Sequence, residues 1–173
     1  SQFKDNCGYA SAARAYLRAL HDVVDGNPEY SLRAHSIELE SIKSISKVEE
    51  EFIDSLLFND EDELEDYVSN NEYLLVWHLP PTMVTHTKNF SHDPAWRMFE
   101  KLISNCKKNI NITVWEADKI RNEWFGVYDL KNTRDVIVPC LWNKQTFDEH
   151  IEKENNKLNV HLIPHVIEEP DVS

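Results

Sequence analysis

The sequence predicts an α/β fold: a Rossmann-like, doubly wound and mainly parallel sheet with helices on both faces. Three observations predict it. Four short apolar runs, "YLLVWHL", "INITVWE", "DVIVPC" and "LNVHLIP", recur through the second half of the chain. The first three are each followed by a stretch with helical spacing or helix-start residues. The runs carry little apolar-polar alternation, which is the pattern of strands buried on both sides of a parallel sheet.

The elements follow in order. Ala10, Ala13, Leu17, Leu20 and Val24 recur at the helical period from Gly8 onward, so a helix runs from Gly8 to about Val24. Gly26-Asn27-Pro28 stops it, because Gly and Asn tolerate left-handed geometry and Pro cannot continue the hydrogen bonding. "YSLRAHSIEL" alternates and reads as a strand. "VEEEFIDSLLF" and "EDELEDYV" read as two short acidic helices separated by Asn59-Asp60. Phe52, Ile53, Leu56, Leu57, Leu64 and Val68 give them a buried side, and the charges form the solvated face. "DPAWRMFEKLISNCKK" is a helix with Asp93 as cap and Pro94 in its first turn. "DKIRNEWFGVYDL" is read as helical. "NKQTFDEHIEKENN" is a helix with Asn143 as its cap.

At 173 residues the chain fits one domain with its own core. Its formal charge of −13, from 18 Lys and Arg against 31 Asp and Glu, disfavours nucleic acid or an anionic membrane as partner, since phosphate binding needs concentrated cations. Cys7, Cys106 and Cys140 are widely spaced. They suggest neither a disulfide framework nor a thiolate zinc site, and a reducing cytoplasmic setting fits them. No apolar run has the length of a membrane span, and the first residues do not form a signal peptide. A glycine-led helix at the start of a doubly wound domain normally follows a strand, so a first strand is expected upstream of residue 1.

In such a sheet the ligand crevice lies beyond the carboxyl ends of the strands. That singles out His78 to Pro81, Glu116 to Asp118, Cys140 to Asn143, and His165. Gly8 and Tyr9 open a helix whose first N–H groups and dipole favour an anion; alternatively Gly8 only makes a turn. Arg14, two turns on, is either a phosphate partner or a solvated side chain. His78 either meets a hydroxyl as hydrogen-bond partner or base, or is tied to nearby backbone. Glu116 is suited to orient a hydroxyl or to stabilise positive charge on a sugar ring. Asp118 does the same or caps the next helix. Trp124 and Trp142 lie near the same edge and either stack on a sugar or belong to the core. Asn143 and Lys144 follow the next run, where a helix start can hold a polar group. His86 and His92 fall in a polar loop without metal-ligand spacing.

Several of these pieces together resemble a known family. "GYASAARAYLRAL" is similar to the glycine turn and first helix of GT-B glycosyltransferases of the family-4 type (glycosyl transferase group 1). "VWEADKIRNEW" with "RDVIVPCLWNKQTF" resembles that family's acidic or histidine-bearing loop and its Val-Pro-Ser-x-Trp-Asn strand end. "NVHLIPHVIE" resembles the Ile-Pro-His-Gly-Val-Asp hinge into the second domain. The resemblance spans roughly Phe3 to Glu168. Ala10 stands for a common second glycine, Cys140 for the serine and Val166 for the hinge glycine.

The resemblance implies that residues 1–173 are the amino-terminal, acceptor-side half of a GT-B enzyme, with 164–173 beginning the hinge. It implies transfer of a sugar from a nucleotide-sugar donor to an acceptor hydroxyl, in the cleft shared with a donor-binding carboxyl-terminal domain, without a metal. Glu116 and His78 are then the catalytic candidates. Gly8, Tyr9, Arg14 and His165 would meet the donor's phosphates, and Asp118, Asn143 and Lys144 would hold the acceptor. Alone, this half is expected to be inactive.

Two other readings stay open. In a papain-like hydrolase, Gln2 would supply an oxyanion donor, Cys7 at its helix start the nucleophile, and a later His the base. In a non-catalytic carbohydrate- or partner-binding domain, the acidic helices of residues 47–69 would form the contact surface.

Overall fold

Four parallel strands form one sheet in the order β1-β2-β3-β4: β1 (Leu74–His78), β2 (Lys108–Ile112), β3 (Thr133–Val138) and β4 (Asn159–Leu162). They are seen in a computed structural model that describes residues 3–5, 7–37, 45–82, 94–129, 133–154 and 157–165. The helices are α1 (Gly8–Val24), α2 (Lys47–Leu56), α3 (Glu61–Asn70), α4 (Pro94–Asn105), α5 (Asn122–Phe125) and α6 (Leu141–Glu154). The chain divides into two compact units, Ser1–Asn59 with His165–Ser173, and Asp60–Pro164.

In the first unit, α1 has the predicted limits. Its entry is fixed by Cys7, whose sulfur accepts from the Ala10 N–H at 3.4 Å. Just past its end Gly26 takes a φ of 75°, a value that costs glycine nothing. Ala13 and Leu17 pack with Phe3, Ala34 and Ile53 in a small core, flanked by Phe52, Leu56 and Leu57. Capping by Ser46, which accepts from the Glu49 N–H at 3.2 Å, starts α2. The acids of α2 are largely neutralised within the unit: Glu49 pairs with Arg14 and Arg18, and Glu50 and Asp54 with Lys4.

The strand predicted from "YSLRAHSIEL" does not form over residues 30–37. Ala34 makes a single parallel bridge to Leu57. The reason is local. Ala34 N–H donates to the Leu56 carbonyl at 2.8 Å, while the Arg33 guanidinium takes the Leu56 and Leu57 carbonyls. Its neighbour is therefore a helix end, which offers no ladder to extend.

In the second unit Asp60 caps α3, accepting from the Glu63 N–H at 2.8 Å. Lys101 of α4 ties Glu61 and Glu65 of α3. Pro94 stands first in α4, where its missing N–H is harmless; Asp93, its expected cap, lies outside the described residues. "DKIRNEWFGVYDL" is helical only in part: the short α5 passes into a 3-10 turn at Gly126–Asp129.

The sheet holds a polar ladder that its apolar appearance hides. β2 starts at Lys108, earlier than "INITVWE" suggests, and brings Asn109 and Asn111 onto one buried face. Asn109 Oδ1 accepts from Trp77 Nε1 at 3.1 Å and Thr133 Oγ1 at 2.7 Å. Asn111 Oδ1 accepts from the Tyr128 hydroxyl at 2.8 Å, and its amide donates to the Trp77, Leu79 and Ile112 carbonyls. Buried amides left unmade are costly, so such a set favours one register over its neighbours.

That register contains a shift. Asn109 pairs with Thr133 but Ile110 pairs with Asp135, leaving Arg134 as one extra residue in β3. The slip puts Thr133, Val136 and Val138 on the face of the two asparagines, and Asp135 and Ile137 on the other.

The strand order contains no reversal, so the described strands have no switch point. Successive right-handed crossovers stepping in one direction put their connections on one side of the sheet. Burial differs between the two faces by strand. Trp77, Asn109, Asn111, Val136 and Val138 are buried on one face; on the other His78, Ile112 and Asp135 are buried, Ile110 and Ile137 half-buried, and only Leu74 and Val76, on the edge strand, are 62% and 38% exposed. The parallel α/β expectation holds: the four described strands are all parallel and alternate with helices.

Candidate functional site

In the second unit the carboxyl ends of the strands gather most of the residues expected at the crevice. His78 closes β1 and is buried, at 5% exposure. Its burial keeps the imidazole from solvent. After β2, Thr113 still donates its N–H to the Ile137 carbonyl at 3.0 Å. Beyond it the chain arches from buried Trp115 to buried Ile120, and Glu116 to Lys119 stand exposed between them. The arch is closed from below: Trp115 Nε1 donates to the Lys119 carbonyl at 3.2 Å, and its ring meets Trp124 edge-on at 5.3 Å.

Asn143 holds this arch. It was expected to cap a helix or hold an acceptor, but α6 begins at Leu141, so Asn143 is its third residue. It is 1% exposed. Its Oδ1 accepts from the Trp115 N–H at 3.4 Å and its Nδ2 donates to the Trp115 carbonyl. Both ends of the amide are thereby spent on backbone, leaving Asn143 a positioning role in place of ligand contact. Glu116 and Trp142 are the exposed neighbours of the clamped pair.

Asp118 is exposed on the same arch. Glu116 and Asp118 make no hydrogen bond or ion pair within the described residues. Lys144 is held on its own helix by Asp148 at 2.6 Å. Cys140 is exposed, just before α6. His86 and His92 lie outside the described residues.

Gly8, Tyr9, Arg14 and His165 belong to the first unit. Gly8 opens α1 with open space around its Cα, and Tyr9 follows it half-exposed. Arg14 is engaged: its Nη1 donates to the Phe3 carbonyl at 2.8 Å, and its Nε pairs with Glu49 at 3.3 Å. His165 Nδ1 lies 2.9 Å from the Tyr16 hydroxyl, whose pKa is raised by burial.

One charged cluster escaped the sequence reading. Asp135 of β3 is buried and accepts from Lys108 Nζ at 2.7 Å; His161 Nε2 lies 2.8 Å from its other oxygen, and Asn159 also donates to it. Hydrogen bonds from Lys108 and His161 depress the Asp135 carboxyl to about 2. All four residues sit within strands or at their ends, and only the register brings them together. Among the described residues no group of three or more His, Cys, Asp or Glu side chains could hold a metal.

No protein-family model, curated protein or solved structure matches this chain.

Proposed function

We propose that the chain is the acceptor-binding half of a glycosyltransferase, moving a sugar from a nucleotide-sugar donor to an acceptor hydroxyl together with a donor-binding domain. The observation that carries the reading is the arch after β2. It sets the carboxylates of Glu116 and Asp118, which pair with nothing among the described residues, at the carboxyl edge of a parallel sheet, beyond which α/β proteins place ligands. Glu116 orients the acceptor hydroxyl or takes its proton, and Asp118 holds a second hydroxyl. His78 is buried, so it would have to become exposed before it could meet a hydroxyl. Gly8 and Tyr9, with the α1 amino end behind them, would meet donor phosphates, and His165 would join them. Arg14 is a weaker phosphate partner, because meeting a ligand would cost it bonds to Phe3 and Glu49. A doubly wound GT-B half would carry its order reversal in strands beyond β1. A cytoplasmic setting accords with three free thiols, and no helix among the described residues is long and apolar enough to cross a membrane.

The test is a transfer assay with a panel of nucleotide sugars and glycoside acceptors, run with the chain alone and with a donor-binding domain added. Product is expected only with both halves, and Glu116→Gln should lower kcat by about 10²-fold, the scale of a lost general base. Peptide or ester hydrolysis by the chain alone, abolished by alkylating Cys7, would sink the reading in favour of a papain-like enzyme. Saccharide binding with no transfer under any pairing would instead favour a non-catalytic binding domain.

A further inference from the structure

We infer that Trp142 and Glu116 form a subsite for a neutral hexopyranose, the indole carrying the sugar's C–H face and the carboxylate accepting from its hydroxyls. The inference rests on the acceptor-side reading above and narrows it to one class of sugar.

The chain has five tryptophans, and four have a packing role. Trp77, Trp96 and Trp115 are buried, and Trp124 is half-buried, against Trp115 and under the Arg121 guanidinium at 4.8 Å. Trp142 differs. It is 45% exposed at the second position of α6, and its ring makes no hydrogen bond or aromatic contact among the described residues. An indole combines an apolar face with a polar N–H, which suits it to a ligand that is itself apolar on one side and polar at its rim.

Its position is fixed from below. Trp142 and Glu116 each lie one residue from the Asn143–Trp115 clamp, so each Cα is about 3.8 Å along the chain from a locked neighbour. Glutamate and tryptophan side chains from such anchors can reach two sides of one six-membered ring.

The chemistry of the two groups selects the ligand. The negative π-face of an indole attracts the polarised C–H bonds on the apolar side of a pyranose. An ionised carboxylate only accepts hydrogen bonds, and neighbouring sugar hydroxyls supply two donors at the spacing of its oxygens. Asp118 adds a second negative charge to the same arch, without an ion pair among the described residues, on a chain of net charge −13. An anionic sugar, such as a uronate or a sugar phosphate, is therefore repelled.

Saturation-transfer NMR on the full chain tests this, with methyl hexopyranosides and the methyl glycoside of glucuronic acid as probes at about 10 mM, suited to millimolar affinity. Neutral glycosides should bind, with the strongest saturation on the protons of one ring face, and the uronate should not. Trp142→Ala should weaken binding by about tenfold or more, and Trp142→Tyr should restore much of it. Glu116→Gln should weaken neutral binding less and admit the uronate. Circular dichroism should match wild type in all three, since these side chains are exposed. Neutral binding unchanged in Trp142→Ala would overturn the subsite while leaving an acceptor role intact. Absence of neutral binding in the wild type would also overturn the subsite, and the transfer assay would then decide the broader reading separately.

Discussion

At the scale of single residues, the three cysteines show how burial sorts chemically identical groups. Cys140 is exposed, Cys7 is half-buried with its sulfur on the Ala10 N–H, and Cys106 is buried with its thiol donating to the Ile103 carbonyl. A thiol reagent should therefore modify Cys140 first, Cys7 more slowly, and Cys106 only on unfolding; mass spectrometry of a time course reads the order. Asp135 gives a pH prediction. Its carboxyl is depressed to about 2 by Lys108 and His161, so the stabilisation is fully present above the ordinary Asp value and is lost as pH falls through about 2. The loss should be about 2 kcal/mol, seen as a falling urea midpoint in the wild type and as a flatter profile in Asp135→Asn. Asn143→Ala should cost about 2 kcal/mol and speed amide exchange in residues 113–120, because the Trp115 backbone loses both partners.

At the scale of elements, sequence periodicity located the helices well because their signals are local. Gly8–Val24 was legible from its apolar spacing and from Gly26; Ser46 and Asp60 mark the starts of α2 and α3 by the usual capping geometry. The four strands were legible as apolar runs. What was not legible depended on a partner far along the chain. Residues 30–37 alternate as a strand does, yet their neighbour proved to be the end of α2. Asn109 and Asn111 look like interruptions of an apolar run and are instead the hydrogen-bonding centre of the sheet. Asn111→Leu should destabilise by about 3 kcal/mol in urea melts, since Tyr128 and the Trp77 and Leu79 carbonyls would each lose a buried partner. The candidate site divided in the same way. Glu116 and Asp118 were readable from their place after an apolar run. The role of Asn143 required knowing that α6 begins at Leu141 and that Trp115 lies within its reach.

At the scale of the whole molecule, charge and sheet order are the dominant facts. An excess of 13 negative charges is left however the internal ion pairs form, so screening should relieve net repulsion. The melting temperature is expected to rise between about 10 and 150 mM NaCl, where the Debye length falls from roughly 30 to 8 Å; a fall would mean that specific ion pairs outweigh the general field. Sheet order has a different consequence. β1 lies at the edge of the described sheet, and its Leu74 and Val76 face outward. "YLLVWHL" is a seven-residue window with no Lys, Arg, Asp or Glu and no proline, the composition that stacks into fibrils when a strand edge is left bare. Wherever that edge is left unpaired, the same run that marks the start of the described sheet is the place where concentrated protein is expected to aggregate, and one lysine at Val76 is the natural gatekeeper to install.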